Sequence, residues 1–219
     1  MSRNRRAEPS RLRAGTTTPR HDVVTIGGER IRIPDPERLV HLQFRRFAGC
    51  PVCNLHLQSV ARRHDEIVAA GVREVVVFHS TVKELRKYED GLPFAVVADP
   101  TKRLYVAFGV ESSRRALLHP RVWLPIIRAV AHSLGAIARG RPVPPLDPAG
   151  GRYGLPADFL IGGDGRVLAC KYGEHADDQW SVDELLQHTR SVARGASGRA
   201  AAGTLAAAAA SAVDAPDER

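Results

Sequence analysis

The sequence predicts an α/β domain built on a central mixed β-sheet that is flanked by helices. Short β-branched and aromatic runs alternate with helical patterns through the first half of the chain, as parallel βαβ units require. A later pair of strands encloses residues 162–165, Gly-Gly-Asp-Gly, whose composition is typical of a tight antiparallel hairpin. With 219 residues and 43% hydrophobic content, the chain can bury one sizeable core. We therefore expect one domain, residues 21–194, between two tails.

Both tails are predicted to be disordered. Residues 1–20 contain six arginines and one acid, Glu8, for a net charge of +5, and show no hydrophobic periodicity. Residues 195–219 are rich in alanine, and this alanine run has helix propensity but no amphipathic face. The N-terminus lacks the apolar stretch of a signal peptide, and three cysteines do not make a disulfide scaffold. A cytoplasmic location is therefore expected.

The first strands and helices are predicted from their periodicity and from the turn residues between them. Residues 23–26 and 30–33 flank Gly27-Gly28 and form a predicted hairpin. Strands are then predicted at residues 39–47, 74–78 and 94–98, and helices at residues 54–70, 81–89 and 101–108. Three consecutive valines in the strand at 74–78 indicate that it is covered on both sides. This order of strand and helix places the sheet at the centre of the domain.

The second half of the chain holds an insertion, a hairpin and a final helix. The insertion, residues 111–152, contains a basic and apolar helical pattern at 121–134 that is too short and too charged to span a bilayer. We expect this helix to cover the sheet. A substrate lid, a homodimer surface and an amphipathic segment at anionic lipid are the functional alternatives. The hairpin strands are residues 158–161 and 166–171, and a capping box at 181–184 begins the final helix.

The motif Cys50-Pro51-Val52-Cys53 lies where the first core strand ends and the first core helix begins. At a helix N-terminus, unpaired N–H groups and the helix dipole favour a thiolate, so Cys50 is the predicted nucleophile. Cys53 lies one turn further and can close a disulfide with Cys50, a spacing used in redox motifs. Because Cys53 shares a helix face with Leu57, we expect Cys53 to face inward and Cys50 outward.

The cysteines have two other interpretations. Cys50, Cys53 and His56 form a Cys-x2-Cys-x2-His string, but structural zinc needs four ligands and no second pair follows. No metal is therefore expected, and His56 is expected to be a solvated helix residue. Free cysteines are also often buried simply as small hydrophobic residues. Cys170, on the second hairpin strand, is expected in the core or on a sheet face.

The net charge of +8 does not indicate specific binding of nucleic acid, because it is concentrated in two segments. One is the tail at residues 1–20, and the other is the stretch 112–146, which contains six arginines and no acid. Such segments attract polyanions or anionic surfaces without reading bases. No specific nucleic-acid partner is expected.

Three further motifs carry a family resemblance. They are residues 44–53 (FRRFAGCPVC), residues 97–100 (VADP) with 105–110 (YVAFGV), and residues 155–161 (LPADFLI) followed by 164–167 (DGRV). Together with the N-terminal hairpin, these motifs resemble the alkyl hydroperoxide reductase / thiol-specific antioxidant family, the peroxiredoxin-like branch of the thioredoxin-like superfamily. The resemblance covers residues 23–194 apart from the insertion. It implies a thioredoxin-like fold.

The resemblance also implies a chemistry and a set of site residues. Cys50 would attack an oxidised substrate, a peroxide or a disulfide, and Cys53 would resolve the product. Pro156 would be the cis-proline beside the cysteines, and Leu155 would offer its backbone groups to a thiol partner. A thiol reductant, such as a thioredoxin or a low-molecular-weight thiol, would restore the dithiol, with no organic cofactor. A thioredoxin-like protein disulfide reductase and a non-catalytic binding module with a redox latch are the alternatives.

Some family positions near the cysteines hold other residues. Phe47 stands where the family has a threonine, three residues before Cys50, and Gln43 stands where it has a proline. The family's arginine before the late strand is also absent from its expected place. The candidates to replace it are Arg45, Arg46 and Arg152.

Overall fold

The computed structural model describes residues 11–89, 91–110, 123–140, 142–145, 148, 151 and 154–195. Within these residues, a five-stranded mixed sheet is flanked by helices, so the predicted α/β fold class is confirmed. The predicted C-terminal tail lies outside the described residues, apart from residue 195. None of the described helices is long and apolar enough to cross a membrane.

The elements follow one another in the predicted order. The strands are β1 His21–Val24, β2 Arg30–Ile33, β3 Leu39–Arg45, β4 Val72–Phe78, β5 Ala95–Ala98, β6 Ala157–Ile161 and β7 Val167–Tyr172. The helices are α1 Pro51–Arg62, α2 His64–Ala69, α3 Val82–Tyr88, α4 Arg103–Ala107, α5 Trp123–Ala138 and α6, residues 182–195. The predicted helix at 54–70 is thus divided at Arg63, which leaves the helical region of backbone angles.

The strand order in the main sheet is β5-β4-β3-β6-β7. The strands β3, β4 and β5 run parallel, because α1, α2 and α3 form the crossovers between them. The strands β6 and β7 are antiparallel to each other, and β6 is antiparallel to β3, as the predicted hairpin requires. The strands β1 and β2 form a separate antiparallel pair. This topology places β3, and with it the end that leads to Cys50, at the centre of the sheet.

The two faces of β3 differ in chemistry. One face carries Val40, Leu42 and Phe44, and the other carries His41, Gln43 and Arg45. The apolar face packs against α4 and the β1–β2 hairpin in one core. The polar face lies towards α1 and the residues that precede α6. All six of these side chains are buried.

Residues 11–20 are ordered along the edge of the sheet. Thr17 forms a bridge with Arg166, and Leu12 packs against the apolar core. The prediction of disorder for residues 1–20 is therefore wrong for this part of the tail. Its backbone finds hydrogen-bond partners at the start of β7, which a composition-based argument does not reveal.

Candidate active site

The two cysteines of the motif lie at the predicted junction of β3 and α1. Cys50 is the N-cap of α1, and Cys53 lies in the first turn. Pro51 begins the helix, where its missing N–H group costs no hydrogen bond. The N–H of Cys53 donates to Cys50 Sγ at 3.4 Å. Both cysteines are free thiols, so the structure holds the reduced form of the pair.

Gly49 sets the sharp turn that precedes Cys50. Its φ of +76° lies in the left-handed region, which favours glycine. A Cβ atom at this position would lie 2.7 Å from the ring of Tyr88, at the end of α3. The N–H of Gly49 donates to Glu89 Oε1 at 2.9 Å. The end of α3 therefore holds the loop that presents Cys50.

Arg46 provides a buried cation beside the thiols. Its Nη2 donates to Cys50 Sγ at 2.9 Å, and the residue is only 4% exposed. Gly154 makes room for this arrangement, because a Cβ there would lie 3.3 Å from His79 Nε2 and 3.5 Å from Arg46 Cγ. Of the three arginines proposed from the sequence, Arg46 contacts the sulfur. Arg152 lies outside the described residues.

The two thiols hydrogen-bond to each other and ionise as a pair. The hydrogen bond from Cys50 lowers the pKa of Cys53 to about 5, against the effect of burial and together with the charge of Arg46. Burial raises the pKa of Cys50 well above its usual range, and its hydrogen bond to Cys53 adds to that effect. Arg46 favours the thiolate at either sulfur. The lower pKa thus belongs to Cys53 and not to Cys50, where the sequence analysis placed the thiolate.

Neither residue of the pair is open to solvent. Cys50 is 0% exposed and Cys53 is 2% exposed. Both lie in an apolar cluster with Phe47 and with Ala129 of α5. The expectation that Cys50 faces outward is therefore wrong, because a helix from the insertion encloses the end of α1.

The expectation that this helix covers the sheet is wrong. The helix α5 packs against α1 instead. Ile126 and Ala129 turn towards the cluster that contains the cysteines. Ile127, Val130 and Leu134, on the neighbouring side of the helix, are exposed. The inner face of α5 is thus the cover of the thiol pair.

Tyr88 connects the loop before Cys50 to the chain that follows α5. Its ring contacts Gly49, as described above, and its hydroxyl donates to the carbonyl oxygen of Val143 at 2.9 Å. The cover and the loop that presents the nucleophile are therefore held by the same side chain.

Leu155 and Pro156 lead into β6, next to β3. The Leu155–Pro156 bond is trans, and the cis bond found among the described residues is Ile33–Pro34. The expectation of a cis-proline at this position is therefore wrong. The Pro156 carbonyl oxygen instead accepts a hydrogen bond from the N–H of Gly173 at 2.9 Å, so it is directed to the loop after β7. A role of Leu155 and Pro156 in positioning the substrate stays a prediction.

The polar face of β3 carries a buried network that the sequence analysis did not predict. Arg45 Nη2 lies 2.7 Å from Asp158 Oδ1, and both side chains are fully buried. The same Nη2 lies 3.2 Å from His56 Nε2 on α1. The backbone N–H of Trp180 donates to Asp158 Oδ2 at 3.1 Å. The carboxylate of Asp158 thus connects β3 to the segment that precedes α6.

His41 extends this network across the sheet. Its Nδ1 lies 2.7 Å from Glu74 Oε1 on β4, and its Nε2 lies 3.4 Å from Asp158 Oδ1 on β6. Burial alone would lower the pKa of His41, but Glu74 and Asp158 raise it to about 9. Burial also opposes ionisation of Asp158, yet Arg45 and His41 hold the pKa of Asp158 below its usual range. Two cations and two carboxylates therefore balance one another beneath α1.

His56 is not the solvated residue that was expected. Burial, reinforced by the charge of Arg45, lowers the pKa of His56 to about 3. A neutral imidazole is therefore present, and it accepts the hydrogen bond from Arg45 through Nε2. In the part of the chain that the structure describes, no group of three or more His, Cys, Asp or Glu side chains is arranged to hold a metal ion.

Cys170 lies on β7, apart from the other two cysteines. It packs against the apolar core on the α4 side of the sheet, and its Sγ lies 3.5 Å from the carbonyl oxygen of Leu12. The predicted core or sheet-face position is confirmed.

Comparison with known proteins places the fold in a family. The model of the family described as AhpC/TSA antioxidant enzyme matches residues 59–175, more than half of the chain. This span begins after Cys53, so the thiol pair lies outside it. A search among curated proteins found no match.

Several solved structures are similar to the chain. The peroxidoxin BcpB from Mycobacterium tuberculosis has a TM-score of 0.59 and 16% identity, covering 83% of this chain and 98% of that one. A PrxQ from Xylella fastidiosa has a TM-score of 0.60 and 15% identity, covering 84% and 99%. The reduced 2-Cys peroxiredoxin of Plasmodium vivax has a TM-score of 0.58 and 13% identity, covering 84% and 83%. These structures share the thioredoxin-like peroxiredoxin fold. The family match shows that the chain belongs to the AhpC/TSA antioxidant enzyme family.

Proposed function

We propose that the protein is a peroxiredoxin-like thiol oxidoreductase that reduces peroxides or disulfides through Cys50 and Cys53. The observation that carries the proposal is the position of Arg46 Nη2, 2.9 Å from Cys50 Sγ at the start of α1. A cation and a helix N-terminus stabilise the thiolate, which is the nucleophilic form of cysteine. Two cysteines buried only as small hydrophobic residues would gain nothing from a buried guanidinium, whose desolvation is costly.

In the proposed reaction, the Cys50 thiolate attacks the terminal oxygen of a hydroperoxide. An S–O bond forms, the O–O bond breaks, and the departing alkoxide takes the proton of Cys53. The Cys53 thiolate then attacks the Cys50 sulfenic acid, an S–S bond forms, and hydroxide leaves as water after taking a proton from solvent. The peroxide is reduced by two electrons and the dithiol is oxidised to a disulfide.

Cys50 is the proposed attacking sulfur because it caps α1 and because Arg46 Nη2 and the N–H of Cys53 donate to its Sγ, at 2.9 and 3.4 Å. These donors stabilise the negative charge on Cys50 after its proton has passed to Cys53. A thiol reductant, such as a thioredoxin or a low-molecular-weight thiol, then reduces the disulfide in two exchange steps.

The buried position of the pair gives α5 a part in the proposed reaction. Because Ala129 lies in the same cluster as both cysteines, a substrate reaches Cys50 only when α5 or its neighbours move aside. This accords with a substrate lid, one of the functions expected of the insertion. The hydrogen bond from Tyr88 to Val143 is one of the contacts that hold the lid closed.

A protein disulfide reductase is the second candidate. Phe47 occupies the position of the family's threonine and packs in the apolar cluster beside Cys50, where its ring cannot donate a hydrogen bond to a peroxide. The chemistry of a disulfide substrate does not need that donor, because the leaving group is a thiolate. The same pair would attack one sulfur of the substrate and then release the second as Cys53 closes on Cys50.

The test compares the full-length protein with Cys50→Ser, Cys53→Ser and the matched control Cys170→Ser. Wild type and the control are expected to consume hydrogen peroxide with dithiothreitol as the reductant. Cys50→Ser is expected to be inactive, and Cys53→Ser is expected to form a sulfenic acid that dimedone traps. Peroxide consumption by Cys50→Ser at the wild-type rate would contradict the assignment. Reduction of insulin without consumption of peroxide would favour the second candidate. The absence of both activities would favour a binding module.

A further inference from the structure

The outer face of α5 carries exposed aliphatic side chains at helical spacing. Ile127 is 61% exposed, Val130 is 46% exposed and Leu134 is 62% exposed. Residues at i, i+3 and i+7 lie along one side of a helix, so these three form a single stripe. A lone exposed aliphatic residue is ordinary in a protein surface, whereas a stripe marks a surface that something covers. We call these three residues the outer stripe.

The apolar surface of the helix continues on the neighbouring face. Ile126 and Ala129 pack towards the cluster that contains the cysteines. A helix with so wide an apolar surface is normally covered across its whole width. In α5 the inner side has its partner in α1, and the outer stripe has none within the part of the chain that the structure describes.

The charges in the segment of sequence that contains α5 have one sign. Every charged residue in the stretch 112–146 is an arginine, namely Arg114, Arg115, Arg121, Arg128, Arg139 and Arg141. Arg128 and Arg139 are exposed on α5 and just after it. Aliphatic side chains enter the boundary of the acyl chains, and arginines contact lipid phosphates. The combination matches an anionic bilayer surface.

A second copy of the chain matches the outer stripe less well. A two-fold interface would bring the same stripe of each copy together, and with it two segments that carry arginines and no acid. The stripe is also wholly aliphatic, whereas protein interfaces draw most of their binding energy from tryptophan, tyrosine and arginine anchors in pockets. Lipid needs no such pockets.

We propose that the outer stripe of α5, with Arg128 and Arg139, docks onto the surface of an anionic lipid bilayer. The helix lies parallel to the surface, because it is too short to cross the bilayer. This docking does not depend on the redox activity of the cysteines. It would, however, act on the same helix whose inner face encloses them.

Co-sedimentation of the full-length protein with lipid vesicles tests the proposal. The vesicles are phosphatidylcholine with phosphatidylglycerol, beside phosphatidylcholine alone. The double variant Ile127→Gln/Leu134→Gln is compared with the matched control Val68→Gln/Val106→Gln, whose residues are 47% and 59% exposed elsewhere on the surface. We expect the stripe variant to partition at least about tenfold more weakly than wild type, and the control to partition as wild type does.

A second arm uses Arg128→Gln and Arg139→Gln, which leave the outer stripe intact. Each is expected to weaken binding to the anionic vesicles about fivefold, as one phosphate-facing cation would. Equal binding of wild type and stripe variant would overturn the proposal, because it would assign the affinity to the arginines of the N-terminal tail. Binding to phosphatidylcholine alone at the same strength would also overturn it. The proposal would also be overturned if light scattering showed a dimer of wild type that the stripe variant does not form. The stripe would then be a contact between copies.

Discussion

The Nη2 of Arg46 lies 2.9 Å from the Sγ of Cys50, and both residues are buried. A buried guanidinium is stable only beside a compensating negative charge. The thiol pair supplies that charge, because the hydrogen bond from Cys50 and the charge of Arg46 lower the pKa of Cys53 to about 5. This contact connects the packing of the loop at the end of β3 to the proposed chemistry of the thiol pair.

Replacing Arg46 tests this contact. In Arg46→Gln we expect the pKa of Cys53, which is about 5 beside Arg46, to rise towards the ordinary value of about 8.5, because the stabilising cation is gone. The rate of alkylation by iodoacetamide near neutral pH should then fall about tenfold or more. The rate is measured as a function of pH, with the exposed Arg166→Gln as the control. A pH profile identical to that of wild type would show that Arg46 does not stabilise the thiolate.

Gly49→Ala is expected to destabilise the protein by both strain and steric overlap. Alanine would adopt a left-handed φ of +76°, and its Cβ would meet the Tyr88 ring at 2.7 Å. The control is Gly91→Ala, where φ is +91° but no atom lies within 4 Å. Urea unfolding should therefore show a loss about 1–3 kcal/mol larger for Gly49→Ala. Equal losses would mean that the contact with Tyr88 is unimportant.

Asp158→Asn should leave Arg45 buried without its carboxylate. Breaking a fully buried ion pair by removing one partner costs about 3–5 kcal/mol. We expect a loss of this size in the free energy of unfolding, measured by urea denaturation. In the control, Asp22→Asn, the exposed pair with Arg20 is broken, and the loss should stay below about 1 kcal/mol. If the two variants lose the same stability, the buried network is not a stabilising unit.

The stability of the fold is expected to decrease in alkaline solution because of His41. Its pKa is about 9 in the folded protein and 6.5 in the ordinary state, so the folded protein binds this proton more tightly than the unfolded chain does. The resulting stabilisation is complete below pH 6.5 and is lost as the pH rises through 9. Its full size is about 3 kcal/mol.

Urea unfolding below pH 6.5 and above pH 9 measures this effect. The comparison of wild type with His41→Gln isolates it, because the thiols titrate in both proteins. We expect the decrease of stability with pH to be smaller in the variant. The same decrease in both proteins would show that His41 is not protonated in the fold.

Local patterns in the sequence were sufficient to predict the order of the elements. The three valines at 75–77, the glycines at 162–165 and the capping box at Ser181 and Glu184 each form the element expected of them. These signals are local, because turn chemistry and helix capping depend on residues close in sequence. The position of Cys50 at the start of α1 follows from the same kind of signal.

The buried polar network depends on pairing between distant strands, which no local pattern contains. His41 is opposite Glu74 in β4, and Gln43 is opposite Asp158 in β6. A signal was nevertheless present, because polar residues at positions 41, 43 and 45 alternate in a strand that was expected to be buried. Charged residues at such positions are rare unless they are paired.

The burial of Cys50 could not be predicted for a related reason. It depends on α5, which lies more than seventy residues later in the chain and packs where no sequence periodicity directs it. The trans bond before Pro156 is the ordinary state of an X–Pro bond, and the cis form was implied by the family resemblance alone.

The central claim is that Cys50 and Cys53 form a redox pair. Peptide mass spectrometry under non-reducing conditions tests it most directly, after one equivalent of hydrogen peroxide is added to the fully reduced, full-length protein. We expect a single peptide in which Cys50 and Cys53 have lost two hydrogens and are joined by a disulfide bond, while Cys170 remains a free thiol. Three free thiols after this treatment, or oxidation of Cys170 in place of the pair, would contradict it.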